Sequence, residues 1–205
     1  DLEALYRTNL HLRTASRILV RIGDFSAAAF SELRKKASRL EWEHYLVPGQ
    51  PVVIRATCKA SKLYHADAVA ERVAGAMADR LGQPIVRQKP VNEEAASPSQ
   101  PVPQLIVVQL SHNHCTVSVD SSGELLHRRG YRQAVAQAPL RETLAAALLL
   151  AAPWDSATPL IDPFCGSGTI PIEAALLALG AAPGRQRRFA FMNWPGFDAQ
   201  HWAAL

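Results

Sequence analysis

The residues that offer the clearest chemistry form a glycine-containing turn, Asp162–Thr169, between a short apolar run and an amphipathic segment. Gly166 and Gly168 let the backbone approach a ligand closely, because neither has a Cβ. The free N–H groups at the start of a following helix suit a carboxylate or a phosphate. The carboxylate of Asp162 can accept hydrogen bonds from an ammonium or hydroxyl group. The turn is therefore a candidate site for a small ligand that carries such groups.

Regular structure is predicted on both sides of this turn. Pro159–Ile161 is a short apolar run that predicts a buried strand, and Ile172 and Leu176 follow the turn at helical spacing. Thr169 is predicted to be the N-cap of that helix, and Pro171 is tolerated in a first helical turn. A strand, a glycine turn and a helix together form the first half of a nucleotide-binding βαβ unit.

Two common nucleotide-binding motifs fit the turn poorly. A dinucleotide-binding fingerprint has Gly or Ala at its third conserved place, where this chain has Pro171. No Lys follows the glycines, so the turn is not a phosphate-binding P-loop. A nicotinamide-dependent oxidoreductase is therefore disfavoured, and a purely structural turn remains an alternative.

A second concentration of chemistry is the basic run His127–Arg132, in which Arg128, Arg129 and Arg132 surround Tyr131. Arginine pairs with phosphates and tyrosine can stack on a base. These three arginines and the tyrosine are therefore candidate RNA-binding residues. The alternative is a basic turn that links two domains, and the two roles do not exclude each other.

Histidines and cysteines do not form a recognisable metal site. His112 and His114 would share a strand face next to Cys115, but no third and fourth ligand appear, so we expect polar turn residues and no metal. The odd number and wide spacing of Cys58, Cys115 and Cys165 argue against a disulfide framework. Reduced thiols of a cytoplasmic protein are the expected state.

Composition sets wide limits on function. The chain has 205 residues, 48% of them hydrophobic and 20% charged, which indicates a soluble globular protein of one or two domains. A net charge of +4 permits a nucleic-acid partner without demanding one. No secretory signal is visible, and the most apolar run, Leu144–Ala152, is too short to span a bilayer. We therefore expect no membrane partner.

The rest of the chain predicts alternating strands and helices over residues 17–120. The predicted strands are Arg17–Ile22, Pro51–Cys58, Leu105–Leu110 and Cys115–Asp120, and the predicted helices lie in Phe25–Leu40 and Asp67–Leu81, the second ending at Gly82. Gln88–Gln104 is expected to be a surface loop. Ala138–Leu144 is expected to open a helix with Pro139 in its first turn, and Phe189–Trp194 to form a strand or a loop.

The string Asp162–Thr169, followed by Ile172–Ala175, resembles the S-adenosylmethionine loop of class I methyltransferases. More narrowly, it is similar to the branch that carries an RNA-binding THUMP domain and methylates guanine in ribosomal or transfer RNA. The element order over residues 17–120 and the segment Asn9–Arg17 resemble a THUMP domain with part of a preceding ferredoxin-like partner.

This resemblance implies S-adenosylmethionine as the cofactor and RNA as the partner. The implied cofactor-binding residues are Asp162, Pro163, Phe164, Cys165, Gly166, Ser167, Gly168, Thr169, Pro139 and Leu140. Pro139 and Leu140 belong to a segment that lies, in the family, against the methionine end of the cofactor. A second RNA surface is implied on residues 50–120.

The resemblance also divides the chain and sets the expected fold class. Residues 1–49 would be a partial ferredoxin-like region, 50–122 a THUMP domain, 123–137 a linker with the basic Arg-Gly-Tyr-Arg segment, and 138–205 the N-terminal part of a methyltransferase domain. The expected fold is α/β: a THUMP-like and ferredoxin-like α+β module, followed by the start of a Rossmann-like domain.

Two further features of the family do not occur in this sequence. They are the acidic residue that ends the second strand and holds the cofactor's ribose, and an Asn-Pro-Pro-Tyr-like motif that grips the target amine. We therefore expect an internal fragment that is inactive by itself and holds no catalytic residue. The implied activity of the parent protein is methyl transfer to N2 of a guanosine, first in 23S ribosomal RNA and second in transfer RNA. A non-catalytic RNA-binding module is the alternative.

Overall fold

The computed structural model describes residues 1–89, 103–132, 139–152 and 154–205. The helices are α1 Leu2–His11, α2 Phe30–Ala37, α3 Ala66–Leu81, α4 Glu142–Ala151, α5 Thr169–Ala178 and α6 Ala199–Ala203. The strands are β1 Leu19–Ser26, β2 Val52–Lys59, β3 Arg87–Gln88, β4 Gln104–Ser111 and β5 His114–Asp120. Most of the predicted loop Gln88–Gln104 and residues 133–137 of the predicted linker lie outside the described residues.

These elements fall into two compact units. The sheet unit consists of Leu19–Gly123 and Phe189–Ala204. The helical unit consists of Asp1–Ile18, Glu124–Arg188 and Leu205.

The sheet unit is built on a five-stranded mixed sheet with the order β1-β5-β4-β2-β3. β2 runs parallel to both β3 and β4, whereas β5 runs antiparallel to β4 and to β1. The β4–β5 connection is a two-residue turn, His112 and Asn113, and both residues have positive φ, at 52° and 63°. This geometry is typical of a tight hairpin, in which Asn tolerates the left-handed region well.

Alternating burial shows where the core of this unit lies. Cys115, Val117 and Val119 of β5 are fully buried, whereas the residues between them are partly exposed. α3 packs on β2 and on α2, and its Val69 and Met77 are fully buried. The helix that the sequence predicts over Asp67–Leu81 is therefore confirmed, with its start one residue earlier, at Ala66. α3 ends at Gly82 with φ 67°, as predicted, because glycine adopts the left-handed C-cap conformation without strain.

The predicted domain boundary at residue 50 falls inside the sheet unit. β1 pairs with β5 from Leu19 opposite Asp120 to Ser26 opposite His114. A ladder of this length cannot be divided between two domains without breaking its hydrogen bonds. The sequence also did not predict β3, which has only two residues and pairs in parallel with Val52 and Val53.

Residues 189–204 also belong to the sheet unit, although the sequence assigns them to the methyltransferase segment. A 3-10 helix, Ala190–Asn193, replaces the predicted strand or loop. The indole Nε1 of Trp194 donates to Gln104 Oε1 at 2.8 Å, and Gln104 Nε2 donates to the Asp120 carbonyl at 2.7 Å. Both bonds are buried, so they fix this returning segment against the sheet.

The helical unit contains α1, α4 and α5, and α4 packs on α5. Pro159–Ile161 does not form the predicted strand, and Ile161 is 85% exposed. A parallel strand forms only beside a partner that shares its ladder, and no strand lies beside this run in the part of the chain that the structure describes. The mixed α/β fold class is confirmed by the two units together.

Candidate functional site

The glycine turn is closed by its own hydrogen bonds. Asp162 Oδ1 accepts a bond from the Phe164 amide at 3.1 Å, and the Gly168 amide donates to the Cys165 carbonyl at 2.7 Å. Gly166 and Gly168 have φ of 53° and 77°, in the left-handed region that favours glycine. The glycines are thus needed for the shape of the turn itself.

The turn exposes its backbone. Phe164 is 92% exposed, and Pro163, Cys165 and Ser167 are exposed as well. A Cβ built on Gly166 would meet no atom within 4 Å among the described residues. The space in front of this glycine can therefore be filled by a ligand.

α5 begins directly after the turn, and its start differs from the prediction. Gly168 is the N-cap and Thr169 is the first helical residue, whereas the sequence predicts Thr169 as the N-cap. Glycine takes this position because its φ is positive, which a β-branched residue does not adopt readily. Since a glycine has no side chain, it leaves the first amides of α5 uncapped, which suits an anionic group.

Arg132 connects the turn with the segment that precedes α4. Its Nη2 donates to Thr169 Oγ1 and to the Leu140 carbonyl, each at 3.1 Å. Its Nε donates to Glu142 Oε1, also at 3.1 Å. Leu140 and Thr169, which the sequence assigns to one cofactor site, are thus joined through one guanidinium group. Pro139 is half-buried beside Leu140 and precedes α4, so it does not lie in the first helical turn as predicted.

A second ionic group lies deeper in the helical unit. Arg129 Nε donates to Glu173 Oε1 at 3.3 Å, and Arg129 Nη2 donates to the Arg13 carbonyl at 2.7 Å. The hydroxyl of Tyr131 donates to Glu173 Oε1 at 3.2 Å. The side chains of Arg129 and Glu173 are 2% and 0% exposed. This group joins α5 to the chain that follows α1.

The pKa shifts in this group follow from burial. Burial raises the pKa of the Glu173 carboxyl, although the positive charge of Arg129 and the Tyr131 hydroxyl bond act in the opposite direction. Burial also raises the pKa of Tyr131, and the negative charge of Glu173 adds to that increase. Tyr131 therefore stays a protonated donor, and Arg129 is the main group that opposes the effect of burial on the pKa of Glu173.

The structure corrects the prediction that the basic run as a whole faces RNA. Arg129 is buried in its pair with Glu173, so its guanidinium is not available to a phosphate in this structure. Tyr131 and Arg132 are half-buried and bonded within the unit. Arg128 has 26% of its side chain exposed and lies 3.8 Å from Glu124. These contacts favour the structural alternative for Arg129, and an RNA role of the others remains a prediction.

The acidic partners of Arg129 and Arg132, Glu173 and Glu142, were not predicted from the sequence. Glu173 is the only charged residue of α5, and Glu142 is the only charged residue of α4. A lone carboxylate within an otherwise apolar helix indicates that a cationic side chain pairs with it, because charged residues are rarely buried unpaired. That signal was present in the sequence.

No group of three or more His, Cys, Asp or Glu side chains among the described residues is placed to hold a metal ion. His114 Nε2 lies 2.5 Å from Asp24 Oδ1, across the β1–β5 pair.

None of the helices described is both long enough and apolar enough to cross a bilayer.

Three family models match the chain. The RlmL ferredoxin-like domain matches residues 1–19, the THUMP domain matches residues 27–120, and the RMKL-like methyltransferase domain matches residues 129–203. The methyltransferase model thus includes the glycine turn, Arg129 and Arg132. The THUMP model begins within the region that the sequence analysis assigns to a ferredoxin-like domain.

Curated relatives and a solved structure extend this comparison. A Synechocystis protein provisionally named RNA methyltransferase slr0064 is 39% identical over all of this chain and 52% of its own length. The ribosomal RNA large subunit methyltransferase K/L of Methylococcus capsulatus is 37% identical over all of this chain and 28% of its own length. The structure of SMU.472, provisionally named a methyltransferase and complexed with SAH, matches with a TM-score of 0.81 and 33% identity, over all of this chain and 52% of SMU.472.

The fold is thus mixed α/β, and the family models that match the chain are of the THUMP and methyltransferase types. More narrowly, residues 27–120 match the THUMP domain and residues 129–203 match the RMKL-like methyltransferase domain, so the resemblance to THUMP-containing class I methyltransferases is confirmed. The chain spans about half the length of the first of these relatives and less of the second.

Proposed function

We propose that this chain is part of an enzyme that transfers a methyl group from S-adenosylmethionine to N2 of a guanosine in large-subunit ribosomal RNA. The observation that carries the proposal is the open backbone of the glycine turn, next to the start of α5 and linked through Arg132 to Leu140. The names of the relatives, a ribosomal RNA methyltransferase and an RNA methyltransferase, support the reaction class and the type of substrate.

The residues of the turn fit a cofactor of this kind. The space in front of Gly166 admits a ligand, and the first amides of α5 suit the carboxylate of its amino-acid part. Asp162 uses one carboxylate oxygen for the Phe164 amide, and the other can accept a bond from an ammonium or hydroxyl group. Under this proposal, Asp162, the backbone of Cys165–Thr169 and the Pro139–Leu140 segment hold the cofactor.

When bound, S-adenosylmethionine supplies an electrophilic methyl group on its sulfonium sulfur. The work of this chain is then positioning, because methyl transfer needs the donor and the amine held in line at close range. The glycine turn, which is closed by its own hydrogen bonds, would hold the donor end. The amine of a paired guanosine lies within a base stack, so the target base would be flipped out to reach the cofactor.

The THUMP domain supports RNA as the partner. Its residues 27–120 include most of the sheet unit, and the chain as a whole carries a net charge of +4. A basic protein binds RNA partly through the phosphates of the RNA backbone, so the affinity for RNA would fall as the salt concentration rises. Under this proposal an RNA surface lies on the THUMP domain, within residues 27–120.

Calorimetric titration of the full-length protein tests the cofactor part of the proposal. We expect S-adenosylmethionine and its demethylated product SAH to bind, and NAD to give no heat of binding, because Pro171 replaces the small residue of a dinucleotide fingerprint. Binding of NAD, with no response to either sulfur compound, would contradict the proposal.

A further inference from the structure

Arg132 donates hydrogen bonds to two separate pieces of chain around the glycine turn, the Leu140–Glu142 segment and the start of α5. It donates to a carboxylate at the start of α4, to a carbonyl two residues before Glu142, and to a hydroxyl at the start of α5. All three distances are 3.1 Å. A planar guanidinium with five N–H donors in a fixed fork can satisfy such a set, whereas a lysine ammonium cannot hold the same geometry.

The surroundings of this guanidinium strengthen its bonds. The side chain of Arg132 is 17% exposed and that of Glu142 is 5% exposed. Charge-assisted hydrogen bonds in such a partly dry environment are stronger than those between neutral groups in water. One nitrogen, Nη1, is buried and has no hydrogen-bond partner in the ranges that the structure describes.

The other two arginines of the basic run make different contacts. Arg129 is bonded to Glu173 and to the Arg13 carbonyl, and Arg128 lies near Glu124. Only Arg132, of these three, contacts both Leu140 and the first residue of α5 in the described structure. The contacts therefore separate Arg132 from its neighbours in sequence.

We infer that Arg132 is a positioning residue for the cofactor loop, which sets the distance between the Pro139–Leu140 segment and the glycine turn. It acts through Thr169 and Leu140 and not by contacting RNA. This inference rests on the proposed function, because it assigns the two joined segments to one cofactor. It replaces the RNA role that the sequence suggested for this residue.

The test compares variants of the full-length protein by SAH calorimetry and by steady-state methylation of RNA. We expect Arg132→Gln to weaken SAH binding about tenfold or more, in line with the loss of hydrogen bonds to a charged group. Arg132→Lys should recover part of that loss, since it keeps the charge and one donor. The KM for S-adenosylmethionine should rise, whereas the KM for RNA and the salt dependence of RNA binding should stay unchanged.

A gentler pair of variants addresses the same contact without removing a charge. Thr169→Val deletes the hydroxyl that accepts from Arg132 and should weaken SAH binding, whereas the conservative variant Thr169→Ser keeps the hydroxyl and should recover most of that loss. Arg128→Ala is the matched control in the same basic run, and we expect its SAH affinity to be unchanged. These variants also serve if Arg132→Gln fails to fold.

Two results would overturn the inference. One is a folded Arg132→Gln protein with a lower melting temperature but unchanged SAH affinity, which is the signature of a purely structural role. The other is a raised KM for RNA with a flatter salt dependence, which would return Arg132 to the RNA surface. If the wild-type protein binds no SAH, the proposed function itself fails, and this inference fails with it; that outcome is distinct from wild-type binding that Arg132→Gln leaves unchanged.

Discussion

Arg129→Ala is the substitution whose effect follows most directly from the structure. It leaves the Glu173 carboxylate buried without its main counter-charge, since the side chain of Glu173 is 0% exposed. Breaking a buried ion pair from one side costs roughly 3–5 kcal/mol. The lower end applies here, because the two bonds of the pair are long, at 3.3 and 3.4 Å, and the Tyr131 hydroxyl remains. We therefore expect a loss of about 3 kcal/mol in the free energy of unfolding.

Chemical denaturation of the wild type and two variants measures this loss. Arg128→Ala removes the same charge from the same run, but its side chain is partly exposed and 3.8 Å from Glu124, so its cost should stay below about 1 kcal/mol. A double variant, Arg129→Met with Glu173→Gln, should recover part of the stability, because it removes the unpaired charge. If Arg129→Ala and Arg128→Ala are equally stable, the pair of Arg129 and Glu173 is not a buried ion pair that stabilises the fold. If the two variants lower the salt dependence of RNA binding equally, Arg129 contacts RNA as the sequence predicted.

Three further predictions concern the glycine turn, the thiols and the returning segment. Gly168→Val should abolish SAH binding of the full-length protein in calorimetry, because φ is 77° there and a β-branched residue is strained at positive φ; normal methylation by this variant would show that the turn is misassigned. Cys165 is exposed, whereas burial raises the pKa of Cys115 to about 12. At pH 8 a thiol reagent should therefore label Cys165 and spare Cys115 until the protein unfolds, as counted by mass spectrometry. Rapid labelling of Cys115 in the folded protein would argue against the packed sheet. Gln104→Leu leaves the buried Trp194 N–H without its acceptor and should lower the free energy of unfolding by about 1–3 kcal/mol, which thermal unfolding measures. An unchanged melting temperature would show that this hydrogen bond does not stabilise the fold.

Local elements could be predicted from the sequence because their signals are local. The apolar spacing of α3 and the glycine after it determine where that helix lies and ends. The β4–β5 hairpin follows from two alternating runs separated by His112 and Asn113. These elements depend on residues within a few positions of one another, so period and turn chemistry are sufficient.

Contacts between distant parts of the chain could not be predicted in the same way. β1 pairs with β5 although the paired residues lie 88 (Ser26 and His114) to 101 (Leu19 and Asp120) positions apart, and Trp194 contacts Gln104 across a separation of 90. Neither pairing leaves a periodic signal in the sequence, because the choice of a neighbouring strand or an acceptor is made by packing. The predicted strand Pro159–Ile161 shows the converse, since its apolar composition is clear but the described structure gives it no strand partner.

The candidate site shows the same division. The glycine turn was recognisable from the sequence because two glycines and an aspartate lie close together in the chain. The structure gives both glycines a positive φ. The role that we infer for Arg132 was not recognisable from the sequence, because a long side chain can reach many acceptors. The sequence does not say that Thr169 and Leu140 lie within its reach. Arg129 was misjudged for a related reason, since a basic run near an aromatic residue is equally typical of RNA contacts and of buried ion pairs.

Mass mapping of RNA after reaction with the full-length protein tests the central claim most directly. Large-subunit ribosomal RNA that lacks the modification would be incubated with the protein and S-adenosylmethionine bearing a deuterated methyl group, then digested and analysed by mass spectrometry. The proposed function predicts one labelled nucleoside, N2-methylguanosine, in large-subunit RNA, and no label with the Gly168→Val protein. A label on transfer RNA alone, on another base or on no RNA at all would contradict it.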